Sequence, residues 1–435
     1  MNYVVQLVRS NSPVHVRRRD LLGYRDFRRA ISAQFCSQSS DALTTYTLAE
    51  VLLFAAPGRA STTSLVSTLA MSALPLLIVG PIAGRVSDHA PRKQILVRGH
   101  ILRMIATFIA LVSLVDKGRF IGFGVFGMLI LITRVLYTAR ATSIPRLVRR
   151  HELVAADSTS LILSVVAGGV GALAGGLLSH VLLGLGFAIA AIGQGLAALL
   201  YRSINVDLGG GGAAHRNDSR VFIRDLLAPR MRFAVLATTS HRLLLGLCLA
   251  AMAVTIDARV GLSTAGSVLV LGCAGAGAFA GSFCAEWATE HFPRKMIASG
   301  SFLLTGIFIF VGGLAAYDFA PLGSLVFASF LFQILRVRSD ASIQANANPL
   351  VLGRIFATYD IVYNMAFITG GLTGVVLIAR ISFIPLACIV AVIYVVLSGL
   401  LLAIDDGKSG NESPHSSSRA THPTSSRILL PKLTN

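Results

Sequence analysis

The chain has 435 residues and a mass of 45.9 kDa; 54% of it is hydrophobic, only 13% is charged, and the mean hydropathy is +0.72. Soluble domains carry about 25% charged residues to coat their surfaces. This composition therefore excludes a soluble enzyme, a secreted disulfide scaffold and, despite a net charge of +18, a nucleic-acid binder.

Apolar residues come in unbroken runs of helical length, not in the weak alternating strands of an outer-membrane barrel. A membrane-crossing helix needs about 20 apolar residues. Breaks at Gly, Pro and charge clusters predict an all-α membrane protein of twelve spans, near 30–55, 61–85, 95–115, 120–140, 152–182, 184–201, 233–257, 261–286, 296–316, 320–339, 352–379 and 381–404. Residues 1–29 read as a basic cytoplasmic segment without a cleavable signal. The first six spans (30–201) and the last six (233–404) form two bundles. A cytoplasmic loop, 202–232, separates them, and a Ser-, Pro- and His-rich tail, 405–435, reads as disordered. With both termini inside, 30 of the 38 Lys and Arg fall on inward segments, and only Arg59, Lys117, Arg119, Arg259 and Arg380 lie outside. That bias obeys the positive-inside rule. The five cysteines, Cys36, Cys248, Cys273, Cys284 and Cys388, lie in or beside apolar runs and read as packing residues.

Charges inside the spans each need a reason, because one near mid-membrane costs about 2.5–3.5 kcal/mol on insertion scales. Span 1 places Asp41 near the midplane and Glu50 further out, with Thr44, Thr45 and Thr47 between them. Span 2 carries Gly80 and Gly84 one turn apart, which lets another backbone approach closely, and ends at Asp88. His100 and Arg103 sit a turn apart on span 3 and read as a brace within the first half. Arg134 lies about six residues from the inner end of span 4. Span 5 carries a glycine run that includes Gly171, Gly175 and Gly176. In span 11, Asp360 is expected to partner the basic inner loops. Trp287 reads as an interface residue.

The halves repeat one another. Asp88-His89-Ala90-Pro91-Arg92-Lys93 recurs as Glu290-His291-Phe292-Pro293-Arg294-Lys295, displaced by 202 residues, and the same displacement carries Arg134 onto Arg336. Asp157 nearly maps onto Asp360, and Gly80 and Gly84 answer to Gly277 and Gly281 at a displacement of 197. Duplicated six-helix units are the architecture of transporters that rock two halves about a central site.

Gly84-Arg85-Val86-Ser87-Asp88-His89-Ala90-Pro91-Arg92-Lys93 resembles the major facilitator superfamily signature G-x-x-x-D-R-x-x-R-K, with His89 in place of its first Arg. Pro145-Arg146-Leu147-Val148 and Gly353-Arg354-Ile355-Phe356 extend the resemblance to bacterial drug, macrolide and siderophore exporters. The resemblance implies a latch of Gly80, Gly84, Asp88, Arg92 and Lys93, repeated as Glu290, Arg294 and Lys295. In it Asp88 meets the start of span 11, and the two basic residues pair with carboxylates or lipid headgroups. It also implies that spans 1, 4, 7 and 10 surround the cavity, bringing Asp41 and Arg134 to comparable depths. Asp41 is then the proton-binding carboxylate, with Arg134 as counter-ion and Glu50 as a second cavity candidate. The glycines of span 5 resemble an exporter element, although Ala172 stands where Pro is expected.

These readings combine into a monomeric, proton-driven exporter of a small amphiphile, surrounded by membrane lipid and without cofactor, metal or nucleic-acid partner. A proton symporter or lipid mover of the same fold, or a scaffold that no longer transports, are the alternatives.

Overall fold

A computed structural model describes residues 18–53, 81–113, 119–179, 183–211, 218–260, 263–315 and 320–404. Gly80, the side chain of Glu50 and the 405–435 tail lie outside the described residues. Nearly everything described is helix: α1 (Arg25–Leu53), α2 (81–89), α3 (Arg92–Ser113), α4 (Arg119–Leu147), α5 (Leu153–Ser179) and α6 (Leu183–Arg202) precede the central loop. After it come α7 (Pro229–Val260), α8 (Ser263–His291), α9 (Arg294–Leu314), α10 (Ala320–Asn346), α11 (Leu352–Ile378) and α12 (Phe383–Ala403). Short helices occupy Arg18–Leu21 and, within the central loop, Asp218–Leu227.

Among the described residues eight helices are long and apolar enough to cross a membrane; α1, α4 and α8 are of comparable length, and of α2 only 81–89 is described. The outer faces are apolar: Leu173 and Leu177 on α5 are 71% and 73% exposed, and Val392 on α12 is 62% exposed. A continuous surface of this kind suits hydrocarbon rather than water.

Two differences from the expected spans carry structural weight. Helix α1 begins at Arg25, five residues inside the segment read as N-terminal loop. Helices α4 and α10 run on to Leu147 and Asn346, beyond the expected ends at 140 and 339. Their final turns are polar, which reads as loop in sequence. Here those turns are packed: Thr142 and Ser143 return hydrogen bonds of 2.8 and 2.6 Å to the carbonyls of Thr138 and Ala139, which keeps their hydroxyls satisfied inside the helix.

The helix pairing repeats. In the first half α1 packs along α5, α3 along α6 and α3 along α4; in the second, α7 packs along α11, α9 along α12 and α9 along α10. These three pairings recur in both halves. The halves meet through α5 against α8 and α10, α4 against α11, and the end of α2 against the start of α11.

Small residues set these approaches. A Cβ on Gly171 would strike the Ser39 carbonyl oxygen of α1, and one on Gly175 would lie 2.9 Å from Tyr46. In α8, Gly277 and Gly281 face the backbone of α10 at Val326 and Phe330, and Gly374 of α11 lies against Leu247 of α7. Gly374→Val should therefore overpack the α7–α11 contact and cost about 1–3 kcal/mol. In thermal unfolding of the solubilised protein its midpoint should fall, whereas Gly168→Val, whose Cβ would meet nothing within 4 Å, should leave the midpoint unchanged.

Candidate functional site

A helix start leaves backbone N–H groups without intrahelical partners. The residue before α11 is Val351, whose side chain forms no cap. The missing acceptor comes from the other half. Asp88, at the end of α2, accepts from the backbone N–H of Gly353 at 2.6 Å and of Arg354 at 3.1 Å, and from Arg354 Nε at 3.1 Å. The carboxylate also meets the positive end of the helix dipole. Gly84, one turn back, permits the approach: a Cβ there would lie 2.8 Å from that of Ala357 and 2.9 Å from the Cα of Arg354. Asp88 is buried, so all three bonds form away from water.

The signature's basic residues are used differently from the expectation that they pair with carboxylates or lipid. Arg92 is buried and donates to carbonyl oxygens: Thr142 at 2.8 Å, Ser87 at 3.3 Å and Leu208 at 3.3 Å. Its backbone N–H bonds the Gly209 carbonyl at 2.9 Å, and Lys93 Nζ donates to the Ile204 carbonyl at 2.6 Å. The central loop supplies most of these acceptors. Gly209, Gly210 and Gly211 all adopt positive φ (78°, 81° and 77°), a conformation glycine takes without steric cost. They lie against Arg92, Ala90 and Pro91, so the glycine run is a fitted strap beneath the signature loop.

In the second copy of the loop, Arg294 donates to Ser342 Oγ at 3.4 Å and lies 5.3 Å from the Phe233 ring, and Lys295 donates to the Leu402 carbonyl at 3.4 Å. Glu290 ends α8 at the equivalent of Asp88.

Asp41 does not face Arg134. Its carboxylate pairs with Arg103 of α3 and accepts from Gln194 Nε2 of α6 at 2.6 Å. Gln194 also donates to the Ser37 carbonyl at 3.2 Å, and its Oε1 bonds His100 Nδ1 at 2.9 Å. His100 stacks on Tyr201, ring centroids 5.3 Å apart. The rotation of α1 turns Asp41 toward α3 and α6, away from α4. Arg103, Gln194 and His100 are buried, whereas the Asp41 side chain keeps 23% of its surface accessible.

Arg134 instead crosses between the halves to Asp360, 3.3 Å away. Asp360 also accepts from Asn364 at 2.8 Å, so among the described residues its hydrogen bonds go to Arg134 and Asn364 and not to the signature loop, the role the sequence predicts for it. The repeat-related Arg336 of α10 donates to Tyr137 Oη of α4 at 3.3 Å and lies 3.6 Å from Asp340. Further contacts join the halves: Gln344 to Asp157 at 3.0 Å, Ser158 to the Ser282 carbonyl at 2.8 Å, and Arg18 to Glu286 at 3.1 Å. Arg18 also donates to the Ser282 and Phe283 carbonyls. Trp287 is 56% exposed and stacks on His291. Sequence reasoning assigns no role to Gln194, Tyr137, Asp340, Gln344 or the Arg18 contacts. A polar residue in an otherwise apolar span was the one signal available for Gln194.

Removing one member of a buried charge pair costs about 3–5 kcal/mol, because the other is left uncompensated. Arg134→Ala leaves Asp360, whose side chain is 11% exposed, and Arg103→Ala leaves Asp41, 23% exposed, so Arg134→Ala should destabilise the protein at least as much; paired thermal unfolding curves would check the order. Removing an N-terminal cap costs about 1–2 kcal/mol, and 1.4 kcal/mol shifts a two-state population about tenfold. Asp88→Ala should accordingly move the spin-label distance distribution between α2 and the start of α11 toward longer separations.

No family model matches the chain. Two curated relatives, uncharacterised MFS-type transporters of Mycobacterium bovis and Mycobacterium tuberculosis, are each 24% identical over 420 residues, covering 88% of this chain and 92% of theirs. Among solved structures, the Escherichia coli fucose:proton symporter aligns with a TM-score of 0.68 at 15% identity. An outward-facing bacterial homologue of the iron transporter ferroportin aligns at 0.67 and 14%. The human organic anion transporter MFSD10 aligns at 0.59 and 14%. Each of these alignments covers 87% of this chain and 98% of the other. With a repeated six-helix unit, the trans-capped α2–α11 junction and this extent of superposition, the chain has the major facilitator fold.

Proposed function

We propose that the chain is a secondary active transporter that exports a small amphiphilic compound in exchange for protons, by alternating access between its two halves. The observation that carries this reading is the trans cap: a carboxylate of one half supplies the acceptors for the first amides of a helix in the other. Water can replace such bonds when the halves part, so the junction can open and re-form. A covalent seam would lack that reversibility. The relatives and structural neighbours are named as transporters, which supports the transport part of this reading.

Asp41 is the proton carrier in this reading, with Arg103 as its counter-ion and Gln194 fixing its orientation. The carboxylate is partly accessible while its partners are buried, so it can exchange a proton without the brace dissolving. A neutral or cationic substrate then competes with that proton. Both termini and the basic loops face the cytoplasm of a cell membrane, and the working unit is the monomer.

Energised inverted membrane vesicles containing the protein should accumulate amphiphilic substrate, and collapsing the pH gradient should abolish the uptake. Asp41→Asn should lose gradient-driven transport while still reaching the membrane in normal amounts. Full activity in that variant would remove Asp41 from the coupling. Accumulation only in right-side-out vesicles would reverse the direction to import, the proton symport named for the fucose carrier.

A further inference from the structure

The short helix of the central loop, Asp218–Leu227, divides its side chains between two faces. Val221, Phe222 and Leu226 are half-buried and pack on the cluster that holds Met231, Val351, Leu352 and Ile355. Asp225, on the same side, accepts from the backbone N–H of Asn348 at 2.9 Å, in the turn that joins α10 to α11. The Phe222 ring lies 5.8 Å from the guanidinium of Arg354, the residue whose amide and Nε both donate to Asp88. This face therefore props the turn that carries the trans cap.

The other face carries Arg220, Ile223, Arg224 and Leu227, at the i, i+3, i+4 and i+7 spacing that lines up residues along one side of a helix. All four are exposed, Ile223 by 54% and Leu227 by 58%. Arg224 lies 3.4 Å from Asp225 Oδ1, but its side chain is 73% exposed, and surface pairs of that kind contribute little. Leu350, two residues beyond Asn348, adds another exposed apolar side chain beside the helix.

The depth of this helix follows from α7. The 32 residues of α7 rise about 48 Å, well beyond a hydrocarbon core about 30 Å thick. Its apolar run starts at Phe233, so Pro229 stands about 6 Å further out, within a headgroup layer about 5–8 Å deep. The short helix ends two residues earlier, at Leu227. Exposed apolar residues framed by arginines at headgroup depth suit anionic lipid: the methyl groups enter the acyl boundary and the guanidiniums meet phosphate. The chain's own ends carry the wrong sign. Residues 1–17 hold two arginines and no carboxylate, and residues 405–435 hold four basic against three acidic residues. A second copy would bring a net charge of +18.

We propose that the helix Asp218–Leu227 docks on the anionic lipid surface at that end of the bundle, and so holds the α10–α11 turn in place beneath the trans cap. The inference needs the membrane fold alone and is independent of the substrate, the direction of transport and Asp41.

The test is amide hydrogen exchange of the full-length protein in nanodiscs of phosphatidylcholine, with and without phosphatidylglycerol. Phosphatidylglycerol should slow exchange across 218–227 by about fivefold for each arginine that meets the surface, and exchange across 348–354 should slow with it. The double variant Arg220→Gln, Arg224→Gln should lose both effects, as should Ile223→Ser with Leu227→Ser; these four side chains are exposed, so the fold is kept. Phe222→Ala should retain the slowing at 218–227 and lose it at 348–354. Inorganic phosphate added to pure phosphatidylcholine nanodiscs should change neither segment. Equal exchange in the two lipids, slowing that persists in the arginine double variant, slowing confined to 218–227, or slowing by soluble phosphate alone would each overturn the proposal. Protection in detergent as strong as in phosphatidylglycerol would do the same, because a protein segment would then be the occupant.

Discussion

Backbone amides at the start of a buried helix must find acceptors, and at α11 the preceding Val351 offers no side-chain cap. Asp88 answers that need from the opposite half, and much of the surrounding architecture follows. Gly84 has to be bare for the carboxylate to reach. Arg92 has to hold the turn after α2, and it does so through carbonyls of α4 and of the central loop. The three left-handed glycines have to follow the underside of that turn. A single pair of unsatisfied N–H groups thus organises residues from four separate stretches of the chain.

The same accounting governs the membrane-depth charges. Each of Asp41, Arg134 and Asp360 has an opposite charge within reach. They differ in what would happen if the halves moved apart. The Asp41 brace lies wholly within the first six helices and would travel as a unit. The Arg134–Asp360 pair spans the seam and would be broken.

The twelve helices are legible in sequence because hydrocarbon thickness fixes a length, and the repeat is legible because Asp88–Lys93 and Glu290–Lys295 keep their spacing. Charge pairing is not legible in the same way. Successive residues turn about 100° around a helix, so a small error in rotation turns Asp41 from α4 toward α3. The polar end of α10 reads as loop because the partner of Gln344, Asp157, comes from the other half, and that of α4 because the hydroxyls of Thr142 and Ser143 are satisfied by carbonyls of their own helix. The glycine run at 209–212 signals a linker by composition, and only the shape of the turn it lines shows its first three residues to be fitted in place.

Arg18 lies ahead of the first long helix, yet its guanidinium grips α8 through Glu286 and two carbonyls and covers the Phe283 ring at 5.2 Å. The stretch that leads into α1 is thereby tethered to the far half of the molecule. Shortening or stiffening that lead-in at Arg18–Leu21 would load the tether and bias how readily the bundle parts.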